Sequence, residues 1–204
     1  LSLLRFKSFR ELYFLSEKSD ICFDLGANIG EATVVLWLKG VKRIYSIEPH
    51  PIAFKKLKIN LSNIRNIQFF NVGISSKNSI EKLYLNSDLV NKENELADLG
   101  LSKSASVIKD KTNNGDLYYE AVMNTLDDFI KNVDVLPTLI KCDIEGGEYL
   151  IYPQFIKLAR SDTTRLILVE THHQKLKMWD DEHLIFIKDI KKYGLERKFN
   201  LEWH

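Results

Sequence analysis

The sequence predicts a doubly wound, Rossmann-like α/β fold with a mostly parallel sheet and an antiparallel edge. Three observations carry that reading. Apolar runs of strand length alternate with segments of helical period, the pattern of a parallel sheet joined by crossover helices. The first run ends in a turn holding Gly26 and Gly30 and the second ends in Glu48, as in sheets that bind ligands beyond their strand ends. Near the end of the chain, Leu195, Arg197, Phe199, Leu201 and Trp203 alternate to one side, which suits an antiparallel edge strand.

The elements follow in order. Residues 1–20 read as an N-terminal helical segment and 21–25 as the first strand. Asn28 is placed to cap a helix running to about Lys39, with Glu31 completing a capping box. Residues 43–47 form the second strand, stopped by Glu48-Pro49-His50-Pro51, whose prolines suit the first turn of a helix. In that helix Ile52, Phe54, Leu57 and Leu61 fall near one face. Residues 67–72 make a third strand, and 80–85 an antiparallel or edge segment. From 86 to 115 the chain is polar and aperiodic, longer than an ordinary connector, and reads as a lid or substrate loop. A short capped helix at 125–130 precedes a strand at 138–144 that Glu145-Gly-Gly147 breaks. A helix to about Ala159, a strand at 165–170 and a helix at 181–193 complete the series.

With 204 residues, one domain spanning 1–204 is expected. Lys and Arg number 29 against 28 Asp and Glu, so no net field draws in a nucleic-acid backbone, and no nucleic-acid partner is expected. Lys103, Lys109 and Lys111, three lysines in a polar loop, read as solvated. No apolar run approaches the roughly twenty residues of a membrane span, and Arg5, Lys7, Arg10 and Glu11 interrupt the N-terminal segment, unlike a secretory signal. Cys22 and Cys142 sit inside apolar strands and read as core residues, not as a disulfide or metal pair. A soluble protein in a reducing, cytoplasmic setting is expected.

The first turn is where a ligand is sought. Gly26 and Gly30 permit a sharp turn and close approach to the main chain. Glu48, about twenty residues on, is placed to accept hydrogen bonds from a ribose cis-diol, which suggests an adenosine-containing cofactor. A dinucleotide needs Gly-x-Gly-x-x-Gly to seat its pyrophosphate, and here Asn28 and Glu31 occupy the second and third glycine places. A ligand without phosphate, such as S-adenosylmethionine, escapes that objection. The alternative reading of the turn is purely structural, a tight passage from strand to helix.

Five segments extend the pattern: Phe23-Asp-Leu-Gly-Ala-Asn-Ile-Gly30, Ser46-Ile-Glu-Pro49, Asn71-Val-Gly-Ile-Ser75, Asn124-Thr-Leu-Asp-Asp-Phe129 and Ile140-Lys-Cys-Asp-Ile-Glu-Gly-Gly-Glu148. In order and spacing the chain resembles the FkbM-type methyltransferases over roughly residues 21–172. The resemblance implies the class I methyltransferase sheet, S-adenosylmethionine as methyl donor, and a hydroxyl oxygen, often on a sugar, as acceptor. It implies that the segment from Asp24 to Gly30 holds the cofactor: Asp24, Gly26, Asn28 and Gly30 at its methionine end, with Ala27 among them. It gives Glu48 to the ribose and Pro49 and Val72 to the adenine. Gly73 departs from the pattern, since relatives carry a small residue such as Ala there.

A sugar hydroxyl is a poor nucleophile, so a base within hydrogen-bond reach would assist methyl transfer. Asp143, Glu145 and Glu148 cluster after the fourth strand. Asp143 is expected near the methyl group, contacting the cofactor amine or receiving a proton, and Glu145 beside the acceptor. The alternative is that these carboxylates only cap the helix starting near Gly147. His172 shares a side with Glu170 after the fifth strand and is the candidate base, the alternative being a solvent-facing loop histidine. His172 and His173 lack the spacing of a zinc site, and no metal is expected. Trp179, Tyr118 and Tyr119 read as half-buried packing or as platforms for an acceptor. The expected function is O-methylation of a sugar or small molecule. Methylation at nitrogen or carbon, a catalytically silent adenosine-cofactor module and a dehydrogenase are the alternatives.

Overall fold

In the computed structural model, which describes residues 2–84, 106–107, 118–172 and 177–201, chain order runs α1 (Lys7–Leu15), β1 (Ile21–Leu25), α2 (Glu31–Lys39), β2 (Arg43–Ile47), α3 (Pro51–Leu61), β3 (Ile67–Phe70), β4 (Gly73–Ile74), β5 (Ser79–Tyr84), β6 (Tyr118–Asn124), α4 (Leu126–Val133), β7 (Leu139–Cys142), α5 (Glu148–Ala159), β8 (Leu166–Val169), α6 (Asp180–Lys192) and β9 (Phe199–Asn200). The main sheet has the order β3-β2-β1-β7-β8-β9, with every pair parallel. The chain winds outward from β1 to β3 and returns to β7, so strand order reverses between β1 and β7. A crevice opens there at the carboxyl ends of the strands.

Helices cover both faces, which is why the inner strands are buried along nearly their whole length and mostly apolar, with no alternation. Leu12 of α1, Val35 and Leu36 of α2 and Leu57 of α3 pack with Cys22 and Ile44 on one face. Phe129 of α4, Phe155 of α5 and Phe186 of α6 pack with Phe23 and Tyr45 on the other. Both cysteines are free thiols in these layers. Among the described residues, no helix is long and apolar enough to cross a membrane.

The doubly wound fold matches the expectation, but the antiparallel edge of the main sheet does not. Phe199 and Asn200 pair in parallel with Ile167 and Leu168, because α6 carries the chain back before it rejoins the sheet. Glu196–Lys198, read as part of a strand, form a 3-10 turn, and Trp203 lies outside the described residues. Antiparallel pairing occurs instead in a second sheet of order β4-β6-β5, between β5 and β6. The sequence pattern does not announce β4 and β6. β4 is two residues long, and β6 buries only Ala121 and Met123.

The capping expectation at Asn28 also fails. Gly30 is the N-cap of α2, with φ 103° and no side-chain capping bond, while Asn28 itself stands at φ 50°. Pro51 opens α3 as expected, with His50 as the cap whose Nδ1 accepts from the Ala53 N–H. Thr125 caps α4 by accepting from the Asp128 N–H. The segment 86–115, with Lys103, Lys109 and Lys111, lies outside the described residues apart from Ser106 and Val107.

Candidate functional site

The turn after β1 is folded against β2 by two bonds, the N–H groups of Gly26 and Ala27 both donating to the Ile47 carbonyl at 3.0 Å. Gly26 has φ 74°, and a Cβ there would stand 1.8 Å from the Asp143 carbonyl oxygen. The glycine is therefore required where the turn passes the end of β7. Gly30 serves packing: a Cβ would meet Leu61 Cδ1 at 2.7 Å and Leu57 Cδ1 at 2.9 Å. It lies behind the turn and does not line the crevice.

The crevice is a cleft of about 740 Å³, its open mouth included, lined by Gly26, Asn28, Glu48, Pro49, Gly73 and Asp143 among others. Glu48 is 6% exposed. Its Oε2 accepts the Asn28 N–H and its Oε1 the His50 N–H, both at 2.8 Å. Each oxygen keeps a second lone pair for a ligand hydroxyl. Burial raises its pKa to about 7, against the pull of the two backbone donors. Leu83, Met123 and Ile74 of the second sheet close one wall, and Val107 joins them. Ser106 donates to the Glu145 carbonyl at 2.7 Å, which ties that short segment to the same wall.

Asp24 does not reach the cleft. It is fully buried, accepts from Thr33 Oγ1 at 2.6 Å and pairs with Lys141 Nζ at 3.1 Å. Lys141 Nζ also donates to the Gly26 carbonyl at 2.9 Å. Burial works against the lysine's charge, but Asp24 and Asp143 outweigh it and hold the pKa above its ordinary value. This pair braces the turn from behind, a role that sequence reading missed because Lys141 sits in a strand of otherwise apolar residues. Val72 packs against the main core and lines no described cavity.

A second depression of about 600 Å³, its mouth included, adjoins the cleft. Gly26, Asn28, Asp143 and Glu145 line both. Glu31, Glu170, Ala27 and Phe9 belong to this groove alone. Asp143 and Glu145 thus stand at the junction, beyond the end of β7 at Cys142, where the chain turns with Glu145 at φ 57°. Neither caps α5, whose N-cap is Gly147 without a side-chain bond.

Glu148, fully buried, has a different task. It accepts from the Gly146 N–H at 2.8 Å, from the His172 N–H at 2.8 Å, and bonds His172 Nδ1 at 2.9 Å. A carboxylate only accepts, so Nδ1 is the donor to Glu148 and Nε2 is the ring nitrogen that faces Glu145 and Glu170. His172 is 1% exposed, not a solvent-facing loop residue. Its Nε2 lies 3.5 Å from Glu145 Oε2 and 3.8 Å from Glu170 Oε1. His173 lies outside the described residues. Trp179 stacks on Tyr149, and Tyr119 meets His50 edge-on, so both act as packing.

A hollow over a glycine turn at the strand-order reversal, flanked by a buried acid from the next strand, defines a Rossmann-like domain with its cleft where such sheets bind ligands. Residues 24–196 match the family model described as Methyltransferase FkbM domain, and the chain belongs to that family of methyltransferases. No curated protein matches. Among solved structures, the chain is similar to PH1948 from Pyrococcus horikoshii, described as an RNA methyltransferase, at 24% identity over 38% of this chain and 40% of that one, with a TM-score of 0.32. It is also similar to P. horikoshii TYW2, solved in complex with MeSAdo, at 13% identity over 92% of this chain and 51% of that one, with a TM-score of 0.44. The matched region thus spans about half or less of the length of these two proteins.

Proposed function

We propose that the protein is a single-domain, S-adenosylmethionine-dependent O-methyltransferase acting on a hydroxyl of a sugar or other small molecule. One observation carries the reading: Asp143 lies at the junction of a cleft that holds Glu48 and a separate carboxylate-lined groove. The residues suit the cofactor, since the cleft is hollow, Glu48 faces it with lone pairs to spare, and the buried Asp143 Oδ1 has no hydrogen-bond partner among the described residues. Bound there, S-adenosylmethionine would supply an electrophilic methyl group. Glu48 would hold the ribose hydroxyls, Pro49, Gly73 and Met123 would border the adenine, and Gly26, Asn28 and Asp143 would hold the methionine end. Asp24, Gly30, Ala27 and Val72 would act behind this surface, keeping the turn and the sheet end in place.

In the groove, Glu145 would orient the acceptor. His172, aimed by Glu148, would accept the hydroxyl proton. Four carboxylates, those of Glu31, Asp143, Glu145 and Glu170, line the groove. They would repel a phosphate backbone, which favours a neutral acceptor over a nucleic acid. Two buried free cysteines suit a reducing, cytoplasmic setting.

Calorimetry with S-adenosylhomocysteine and with NAD tests the donor. S-adenosylhomocysteine is expected to bind and NAD not to. Glu48→Ala should weaken that binding at least tenfold, and Asp143→Ala should chiefly lower transfer of labelled methyl to a sugar or extract acceptor. A folded protein that takes up no S-adenosylhomocysteine ends the reading.

A further inference from the structure

The acidic groove has a floor that proton transfer alone does not explain. One donor atom each from Asp143, Glu170 and His172 lie within 4.8 Å of one another. His172 Nε2 and Asp143 Oδ1 are buried atoms with no hydrogen-bond partner among the described residues. The carboxylate oxygens paired with Nε2 stand at 3.5 and 3.8 Å, beyond ordinary hydrogen-bond length. The ring is held by its other nitrogen on the buried Glu148, the arrangement that fixes tautomer and direction in histidines that ligate metals.

We propose that Asp143, Glu170 and Nε2 of His172 form a binding site for a hard divalent cation, Mn2+ or Mg2+, on the floor of the acceptor groove. Two carboxylates and one imidazole suit such ions, and the imidazole favours Mn2+ of the two. Octahedral ligands about 2.1 Å from a metal stand about 3 Å apart when adjacent and about 4.2 Å when opposite. The observed donor set therefore needs to close by only a small amount. A cation also offsets the mutual repulsion of Asp143, Glu145 and Glu170, whose groove is partly shielded from water. Three protein ligands leave positions for an acceptor oxygen. With the cation bound, His172 is a ligand in place of the base assigned to it above, and Glu145 takes over as acceptor of the hydroxyl proton. This use of the site rests on the methyl-transfer reading; the site itself rests on geometry alone.

Chelator-treated protein is titrated with MnCl2 and followed by calorimetry and by the paramagnetic resonance of free Mn2+. Saturable uptake is expected, competed by MgCl2 and weakened at least tenfold by Asp143→Asn, Glu170→Gln or His172→Ala. Glu148→Gln, which removes no ligand but disturbs the support of the ring and of the Gly146 turn, is expected to weaken uptake roughly 10–100-fold. Glu170 is partly exposed, so Glu170→Gln keeps the test valid should the buried variants unfold. No uptake at millimolar Mn2+, or wild-type affinity in Glu170→Gln, overturns the site. The same samples are titrated with S-adenosylhomocysteine. Its binding without Mn2+ uptake removes the cation site and leaves the methyl-transfer reading intact, whereas Mn2+ uptake without it does the reverse.

Discussion

The two hollows at the carboxyl edge of the sheet are built by different means. The cleft at Glu48 is a backbone construction: a left-handed Gly26, two N–H groups on the Ile47 carbonyl, and a Glu48 held by main-chain donors two and twenty residues away. The adjoining groove is lined by side chains from separate parts of the chain, Phe9 and Glu31 of two helices and Asp143, Glu145 and Glu170 beyond two strand ends, with the nearby His172 held by the buried Glu148. The first depends on local sequence and tolerates little change in the turn. The second depends on tertiary placement, so its chemistry can vary while the cleft stays the same.

The sharpest way to break that contrast is Lys141, which braces the cleft and borders the groove. Lys141→Met leaves Asp24 buried without its cation, and such a loss costs about 3–5 kcal/mol. Urea unfolding should register it. A loss below about 1 kcal/mol would mean that Thr33 alone satisfies Asp24, and that the brace is not electrostatic.

A smaller effect should separate the two hollows by pH. Glu48 has a folded pKa of about 7 against an ordinary 4.5. The folded protein binds this proton more tightly than the unfolded chain, so the group's contribution to stability is fully present below 4.5 and is lost as pH rises to about 7. Ligand binding has the opposite sign, because only the carboxylate accepts from both ribose hydroxyls. S-adenosylhomocysteine affinity should rise with pH up to about 7 and fall roughly tenfold per unit below it, and Glu48→Gln should flatten the profile. An unchanged slope in that variant would assign the pH dependence to the groove.

The smallest expected effect concerns the adenine wall. A Cβ on Gly73 would stand 2.4 Å from Met123 Sδ and 3.3 Å from Pro49 Cβ. The thioether can swing away, so Gly73→Ala should cost about 1 kcal/mol by thermal melting, and less in a Met123→Ala background. Equal costs in both backgrounds would show that Met123 is not what the glycine accommodates. The glycine that departs from the family pattern is thus matched to a methionine fifty residues later, on a strand that the sequence pattern does not reveal.

The cleft is largely legible in the residues themselves. The strands β1, β2, β7 and β8, the turn at Gly26 and the acid at Glu48 are written in contiguous runs, because parallel strands buried on both faces are mostly apolar and ligand-binding sheets of this kind carry a glycine turn after the first of them. The direction of β9 is not legible, because alternation reports only which side chains are buried and not which way the chain runs. The separate roles of Gly26 and Gly30 are hidden because the atoms that exclude a side chain belong to the end of β7 and to α3, distant in sequence.

By itself, then, the sequence determined the inner strands of the main sheet, the family and the glycine turn after the first strand, all consequences of local periodicity and of short motifs in order. Only the tertiary structure decided that Asp24 is braced by Lys141, that Glu148 holds His172, and that Asp143, Glu170 and His172 converge. The physical reason is that electrostatic partners are chosen by distance in space, and here the fold brings together residues such as Glu148 and His172, 24 positions apart, and Asp24 and Lys141, 117 apart in the chain.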